Sequence, residues 1–363
     1  MTIRFLTSGE SHGKALNTII EGVPANITID TNFINKELQR RQIGYGRGGR
    51  MLIEKDTATI LSGVRHGKTT GSPICLEITN KDFENWIIPM STENVEQTKE
   101  NIELIESKKI TNVRPGHADF AGALKYNHTD VRNILERSSA RETTTRVATG
   151  AIAKSILKEF DIEGISFVNQ IGTIKTETPK NIFNYKEEIE NNDLRTLNDS
   201  IYEEMKKEID KAKENGDTLG GAFEVIFKNV PVGLGEPYFD SLESTISHLL
   251  FSVGGVKGVE FGVGFKGASM MGSQFNDMII SSEGKTKTNN NGGINGGLAN
   301  GMPITFRVVI KPTPSIAKEQ DTINIKTKEN AKLKIEGRHD ACIVPRAVPV
   351  IEAISAIAIY DSL

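Results

Sequence analysis

The chain is poor in cysteine: Cys75 and Cys342 are its only two, far apart and outside any Cys-x-x-Cys or Cys/His cluster. That pattern excludes a disulfide framework and a zinc site and argues against an oxidising compartment. Two buried thiols are expected. Charge of one sign is also lacking. Forty-four Lys and Arg face forty-seven Asp and Glu, a formal net charge of −3, so no global basic field points to nucleic acid or an anionic membrane. Any anion site has to be local. Long hydrophobic runs are missing as well. "MTIRFLTSGESHG" has no basic region followed by an apolar one, and the apolar late stretch "AVPVIEAISAIAIYDSL" is interrupted by Glu352 and too short to span a bilayer. No metal, nucleic-acid partner or membrane is expected, and the location is expected to be cytoplasmic.

What is present is glycine, at the junctions of short alternating segments, with enough apolar residues for a sizeable core. This reads as mixed α+β. "LNTIIEGVPANITID" predicts strand, turn and strand, and "TNFINKELQRRQ" a helix capped by Asp30 or Thr31. "ATILSGVRHGKTTGSPICLEI" predicts a strand pair, and apolar spacing over 131–160 predicts one core-facing helix. The charged stretch "YKEEIENNDLRTLNDSIYEEMKKEIDKAKENG" predicts a solvated helix with surface ion pairs and no catalytic role. Strand, turn and helix return in "GGAFEVIFKNVPVGLGEPYFDSLESTISHLL", and Asn300-Gly301 marks a hairpin. "TIIEGVPA" and "RVATGAIAKSI" echo "EVIFKNVPVG" and "RAVPVIEAISAI". One domain over 1–363 follows, built of two similar α+β halves, approximately 1–165 and 218–363, around a charged helical insertion at 181–216.

Several motifs carry chemistry. "GVGFKG" (262–267) fits a dinucleotide fingerprint in letters only, because no helix start follows; a hairpin turn is expected. Near "GYGRGG" (44–49), Arg40, Arg41, Arg47 and Arg50 fall within eleven residues with no acid between them, which favours phosphate or carboxylate binding. Three glycine-flanked turns bear acid/base groups: His12 in "SGESHGK", His117 with Arg114 and Asp119 in "VRPGHADF", and Arg338, His339, Asp340 and Arg346 in "EGRHDACIVPR". Together they predict one acid/base site lined with cations.

"GESHGKALNTIIEGVP", "ERSSARETTTRVATGAIAK" and "GRHDACIVPRAVPVIEA" strongly resemble the three signature segments of the chorismate synthase family, in order and suitably spaced. "RRQIGYGRGGRM", "NVRPGHAD", "GVKGVEFG", "GGINGG" and "IKPTPS" extend the resemblance over nearly the whole chain. It implies a sandwich with helices packed between antiparallel sheets, assembled as a homotetramer. The implied reaction is an anti-1,4-elimination of phosphate from 5-enolpyruvylshikimate 3-phosphate to give chorismate, requiring reduced FMN without net oxidation. The resemblance assigns catalytic roles to His12 at the leaving phosphate, His117 at the flavin and Asp340 beside flavin and substrate ring. It places Arg41, Arg47, Arg50, Arg114, Arg141 and Arg338 on the substrate anion. Flavin contacts are implied for Arg137, Ser138, Ser139, Gly254, Gly255, Gly296, Lys311, Thr313, Ser315 and Arg338, and NADPH is associated with the positions of Arg41 and Arg47. No large insertion like that of bifunctional fungal members is present, so an external flavin reductase is expected and NADPH enters only indirectly. Ala341 stands where relatives can carry proline. Segments 44–49 and 288–301 are expected to order only with ligands. A flavin oxidoreductase and a noncatalytic anion binder are the competing classes.

Overall fold

A computed structural model describes residues 3–46, 55–335 and 340–363. Its largest elements are two antiparallel sheets. One orders β1 (Arg4–Ser8), β2 (Ala15–Glu21), β6 (Ile74–Thr79) and β3 (Thr59–Ser62); a small ribbon, β4 (Val64–Arg65) with β5 (Lys68–Thr69), connects the last two. The other orders β10 (Val256–Phe261), β13 (Ile304–Ile310), β9 (Gly221–Lys228), β7 (Glu163–Ile171) and β8 (Ile174–Lys175). Each buries one face: Leu16, Thr18 and Ile20 alternate inward on β2, and Ile304, Phe306, Val308 and Ile310 on β13, the period-two pattern of a half-covered antiparallel sheet.

Helices fill the space between. α1 (Thr31–Gln42), α5 (Thr143–Glu159) and α10 (Val344–Asp361) pack together, α5 against β2 and β6 and α10 against β7 and β9. Every residue of α10 from Val348 to Tyr360 is buried, as befits a helix apolar on all sides. Gly150 of α5 meets Ala353 of α10 so closely that an added Cβ would lie 2.3 Å from the alanine Cβ. Gly150→Val should therefore cost at least about 1–3 kcal/mol of stability, read as a lowered urea midpoint. α2 (Lys99–Lys108), α3 (Asp119–Tyr126), α4 (Arg132–Ser138) and the hairpin β14 (Gln320–Ile323) with β15 (Asn330–Leu333) lie at one side, around a small separate core of Val113, Ala123 and Val131. α8 (Leu242–Phe251) backs α10; α6 (Lys186–Asn191), α7 (Asp199–Glu214), the single turn α9 (Gly272–Phe275) and the β11 (Ile294–Asn295)–β12 (Leu298–Ala299) hairpin complete the list.

Several expectations hold and several change. Asp30, and not Thr31, caps α1 by accepting from Asn32 N at 2.9 Å. The second strand after β2 shrinks to one bridge, Thr28 to Lys68, because Asn26 at φ 71° turns the chain. The helix over 131–160 is two helices. Ser139 is extended (φ −66°, ψ 142°), and its hydroxyl accepts from Arg141 N at 3.3 Å, so local capping wins over continuation. The hairpin turn falls at Gly296-Gly297, both at positive φ, where a two-residue turn needs them; Asn300-Gly301 only leads into β13. Residues 264–269 form a 3₁₀ turn instead of a hairpin, and the Glu260 carboxylate accepts from Phe265 N at 3.0 Å, where a nucleotide phosphate would have to sit. Within 288–301, Asp277 accepts from Thr288 Oγ1 and from the backbone of Asn290 and Asn291, while residues 47–49 of the other glycine-rich segment lie outside the described residues. The charged stretch is only partly solvated: Met205, Ile209 and Ala212 of α7 are buried, and Arg195 is 1% exposed.

Cys342 is buried, but Cys75 is only half-buried; both thiols are free. Burial pushes the Cys342 thiol up to about 12, leaving almost no thiolate at pH 8. An alkylating reagent at that pH should label Cys75 alone in the folded chain and both residues after denaturation, as counted by mass spectrometry.

Candidate active site

The buried stripe of α1 runs Ile34, Leu38, Arg41 at helical spacing, so the position that should continue the core instead carries a guanidinium into a cavity. That cavity, about 750 Å³, lies within the roughly 300–1,000 Å³ typical of small-molecule sites. Its walls come from the break between α4 and α5, the turn before α3, the loop between α8 and β10, the segment after β13 and the start of α10. Among the described residues, eight Lys and Arg side chains line it against two carboxylates, Glu142 and Asp340. In a chain of net charge −3, this is a strong local excess of positive charge.

The acids behind the wall do not balance it. Asp56, 2% exposed, accepts two bonds from Arg141 Nη1 at 2.7 and 2.8 Å and lies 3.6 Å from Arg41 Nη1. Arg141 also donates to Asn80 Oδ1 at 2.8 Å. Arg41 donates to Thr143 Oγ1 at 3.0 Å and Ala140 O at 2.8 Å, while its Nη1, though buried, has no hydrogen-bond partner among the described residues. Burial, with the Arg346 charge nearby, pushes the Arg41 guanidinium down to about 9. It remains charged at neutral pH, and an anion in the cavity would relieve it.

His117 lies in the wall, its Nδ1 2.5 Å from Asp119 Oδ1. Arg114 donates Nε and Nη2 to the same carboxylate at 2.8 and 3.0 Å. Burial would raise the Asp119 carboxyl, but the His117 and Arg114 hydrogen bonds outweigh it and hold the group well below the carboxylate range. An ionised carboxylate only accepts, so Nδ1 carries the proton and Nε2 is the atom that can exchange one. Asp340, also in the wall, accepts from Arg346 Nη1. His12 repeats the His117 arrangement: Glu136 accepts from its Nδ1 at 2.8 Å and from its backbone N at 2.8 Å, and the ring stacks 4.1 Å from Trp86. Unlike the other two, His12 is not among the described lining residues, and its neighbour Ser11 meets the lining residue Ser139, Oγ to Oγ at 3.0 Å.

The profile of the family described as Chorismate synthase matches residues 3–363. The chain belongs to the chorismate synthase family. Chorismate synthases of Enterococcus faecalis and Alkaliphilus oremlandii are 48% and 49% identical to it, over 99% and 98% of this chain and 93% and 92% of theirs. A crystal structure of a chorismate synthase superposes over 100% of this chain and 91% of its own, with a TM-score of 0.77 and 40% identity. Chorismate synthase is a lyase of the shikimate pathway of aromatic amino acid biosynthesis, and this membership assigns that class of activity to the chain.

Against that identity, the structure gathers Arg41, Arg114, Arg137, Arg141, Ser138, Ser139, Gly254, Gly255, Lys311, Thr313 and Ser315 around the one cavity. Gly296 is not among its lining residues; it sits at the β11–β12 turn with open space where a Cβ would point. Arg47, Arg50 and Arg338 lie outside the described residues. A flavin mononucleotide fits the donors present. Thr313 Oγ1 is buried at the wall with no hydrogen-bond partner among the described residues, Lys311 is cationic there, and a Cβ on Gly254 would meet nothing within 4 Å. Lys311 is pulled down by burial and by the nearby Lys257 charge.

Sequence reasoning missed Asp56, Arg146, Lys257 and Glu136 as partners in the site. Glu136 stands inside a signature segment and three residues before the Ser139 break, so a helix-face reading that paired it with His12 would have needed the fold. Arg40 differs from the anion-binding role expected of it for want of a local acid: Glu37, Glu190 and Glu352 surround its guanidinium. It is a structural cation.

Proposed function

We propose that this chain converts 5-enolpyruvylshikimate 3-phosphate to chorismate and phosphate by anti-1,4-elimination, with reduced FMN as a cofactor that undergoes no net oxidation. The observation that carries the reading is the cavity itself, where an excess of cations shares one wall with His117 and Asp340. The substrate bears a phosphate and two carboxylates, so such a wall offsets its charge and fixes its orientation.

Ser138, Ser139, Lys311, Thr313, Ser315 and Arg137 are the residues that would hold the flavin, and reduced flavin supplies an electron-rich ring that assists cleavage of the bond to phosphate. The chain's own groups handle charge and protons. Arg41 and Arg114 face the substrate's anionic groups, with Arg141 bracing the wall through Asp56. In the elimination the C–O bond to phosphate breaks with its electron pair, a ring C–H bond breaks, and a C=C bond forms, so no oxidant is consumed. Asp340 would assist loss of that ring proton, its carboxylate oriented by the bond it accepts from Arg346 Nη1. His117 keeps Nε2 available for proton exchange because Asp119 fixes Nδ1. For His12 we propose proton delivery to the departing phosphate. Glu136 fixes its tautomer.

A homotetramer is part of the proposal, consistent with the large exposed apolar side chains Tyr238, Phe239 and Phe265. So are a cytoplasmic location and an external source of reduced flavin; among the described residues no helix is long and apolar enough to cross a membrane. The test is anaerobic: substrate, enzyme and dithionite-reduced FMN, following chorismate absorbance and phosphate together. One phosphate per chorismate with catalytic flavin is expected. Stoichiometric flavin oxidation would assign an oxidoreductase instead, and no turnover would leave a binding protein.

A further inference from the structure

Arg195 belongs to the charged stretch for which no role in the site was expected, yet its guanidinium is buried between the two segments that supply cavity cations. Nη2 donates to Arg40 O at 2.7 Å, and Nη1 donates to Ile43 O at 3.1 Å and Pro345 O at 3.0 Å. Arg40 and Ile43 end α1, where Arg40 O also accepts from Ile43 N at 3.2 Å and the last helix carbonyls otherwise need outside donors. The residue after Arg40 is Arg41, and the residue after Pro345 is Arg346, which also holds Asp340.

The base of the staple is firm. The Arg195 carbonyl accepts from Val168 N at 2.7 Å, at the irregular register of β7, and its φ of 52° is a left-handed conformation kept by those bonds. The neighbouring Asp193 carbonyl accepts from Tyr45 N at 2.9 Å, tying down the chain just after α1. A Cβ on Gly44 would lie 3.1 Å from Arg346 Cγ, so the two gripped segments also touch each other. Arg41 and Arg346 carry like charges and repel across this contact. A planar fork with donors to both segments opposes their separation, which a single ammonium cannot match.

We infer that Arg195 is a positioning residue that fixes Arg346, and through Arg346 Asp340, against the end of α1 at the cavity. This rests on the reaction proposed above, and the wild-type assay tests that reading separately. Misplacement by about 1 Å can cost on the order of 10²-fold, so Arg195→Met should lower kcat/KM by about that factor and Arg195→Lys by about tenfold, at temperatures where circular dichroism shows both folded. A role in stability alone would lower the melting temperature and leave kinetics at such temperatures unchanged.

The deciding measurement is a double-mutant cycle on kcat/KM with Arg346→Met. If Arg195 acts through Arg346, the loss from Arg195→Lys should shrink to less than about threefold in the Arg346→Met background. Wild-type kinetics in Arg195→Lys, or losses that multiply in the double variant, would overturn the inference. Should Arg195→Met fail to fold, the lysine cycle decides alone. An inactive wild type would instead sink the proposed reaction.

Discussion

His117→Ala is expected to lower kcat by about 10²–10⁴, the usual contribution of a positioned proton-transfer group, with little change in melting temperature. The stability half of this expectation follows from the carboxylate behind the ring. Asp119 is fully buried, and removing one donor would be costly if it left the charge alone. Arg114 keeps its two bonds to that carboxylate after the substitution. Steady-state turnover in the anaerobic assay, beside a thermal melt, checks both halves. Retained turnover would remove His117 from the chemistry and favour the anion-binding reading.

Arg41→Met should separate stability from function in the opposite sense. The guanidinium is buried, pushed down to about 9, and carries a nitrogen without a hydrogen-bond partner among the described residues. Replacing it by an apolar side chain of similar length removes that desolvation cost, as buried cations replaced by methionine often do. Little new is orphaned. Asp56 keeps both bonds from Arg141 Nη1, and Ala140 O still accepts from Thr143 Oγ1 at 2.7 Å. The variant is therefore expected to melt no lower than the wild type, and higher if the wall closes up. Substrate binding should suffer, because a charged hydrogen bond is worth about 1.5–3 kcal/mol, or roughly 10- to 150-fold in KM. A KM within twofold of wild type would show that Arg41 does not face the substrate.

Much of this site was legible in the chain because its chemistry is carried by residue types that few other roles explain. Arginines in glycine-rich turns and a Pro-Gly-His turn announce an anion and an acid/base group, and the fold does bring Arg41, Arg114, Arg141, His117 and Asp340 to one cavity. Local rules also placed α1 and its aspartate cap, and the inward alternation of β2 and β13. What escaped depends on contacts between distant residues. Arg40 and Glu352 are 312 positions apart, and Arg195 and Ile43 are 152; no window along the sequence shows such pairs. The helix break at Ser139 escaped for a different reason: apolar spacing continues through it, and only the serine's capping bond reveals the interruption. His12, expected at the cavity with the other two acid/base groups, is not among the described lining residues, and its ring is held by Glu136 and Trp86.

Glu352, in the middle of α10, receives Arg40 from α1 at 2.9 Å, Lys154 from α5 at 2.8 Å, and both the backbone and hydroxyl of Ser166 on β7. Burial would raise its carboxyl, but Arg40 and Lys154 hold it far below the carboxylate range. Because this knot lies out of reach of dissolved ions, added salt should weaken anion capture without loosening it. Its members come from elements facing both sheets, so neither sheet can be peeled away while the other stays intact. Denaturant should melt the whole chain in a single cooperative step.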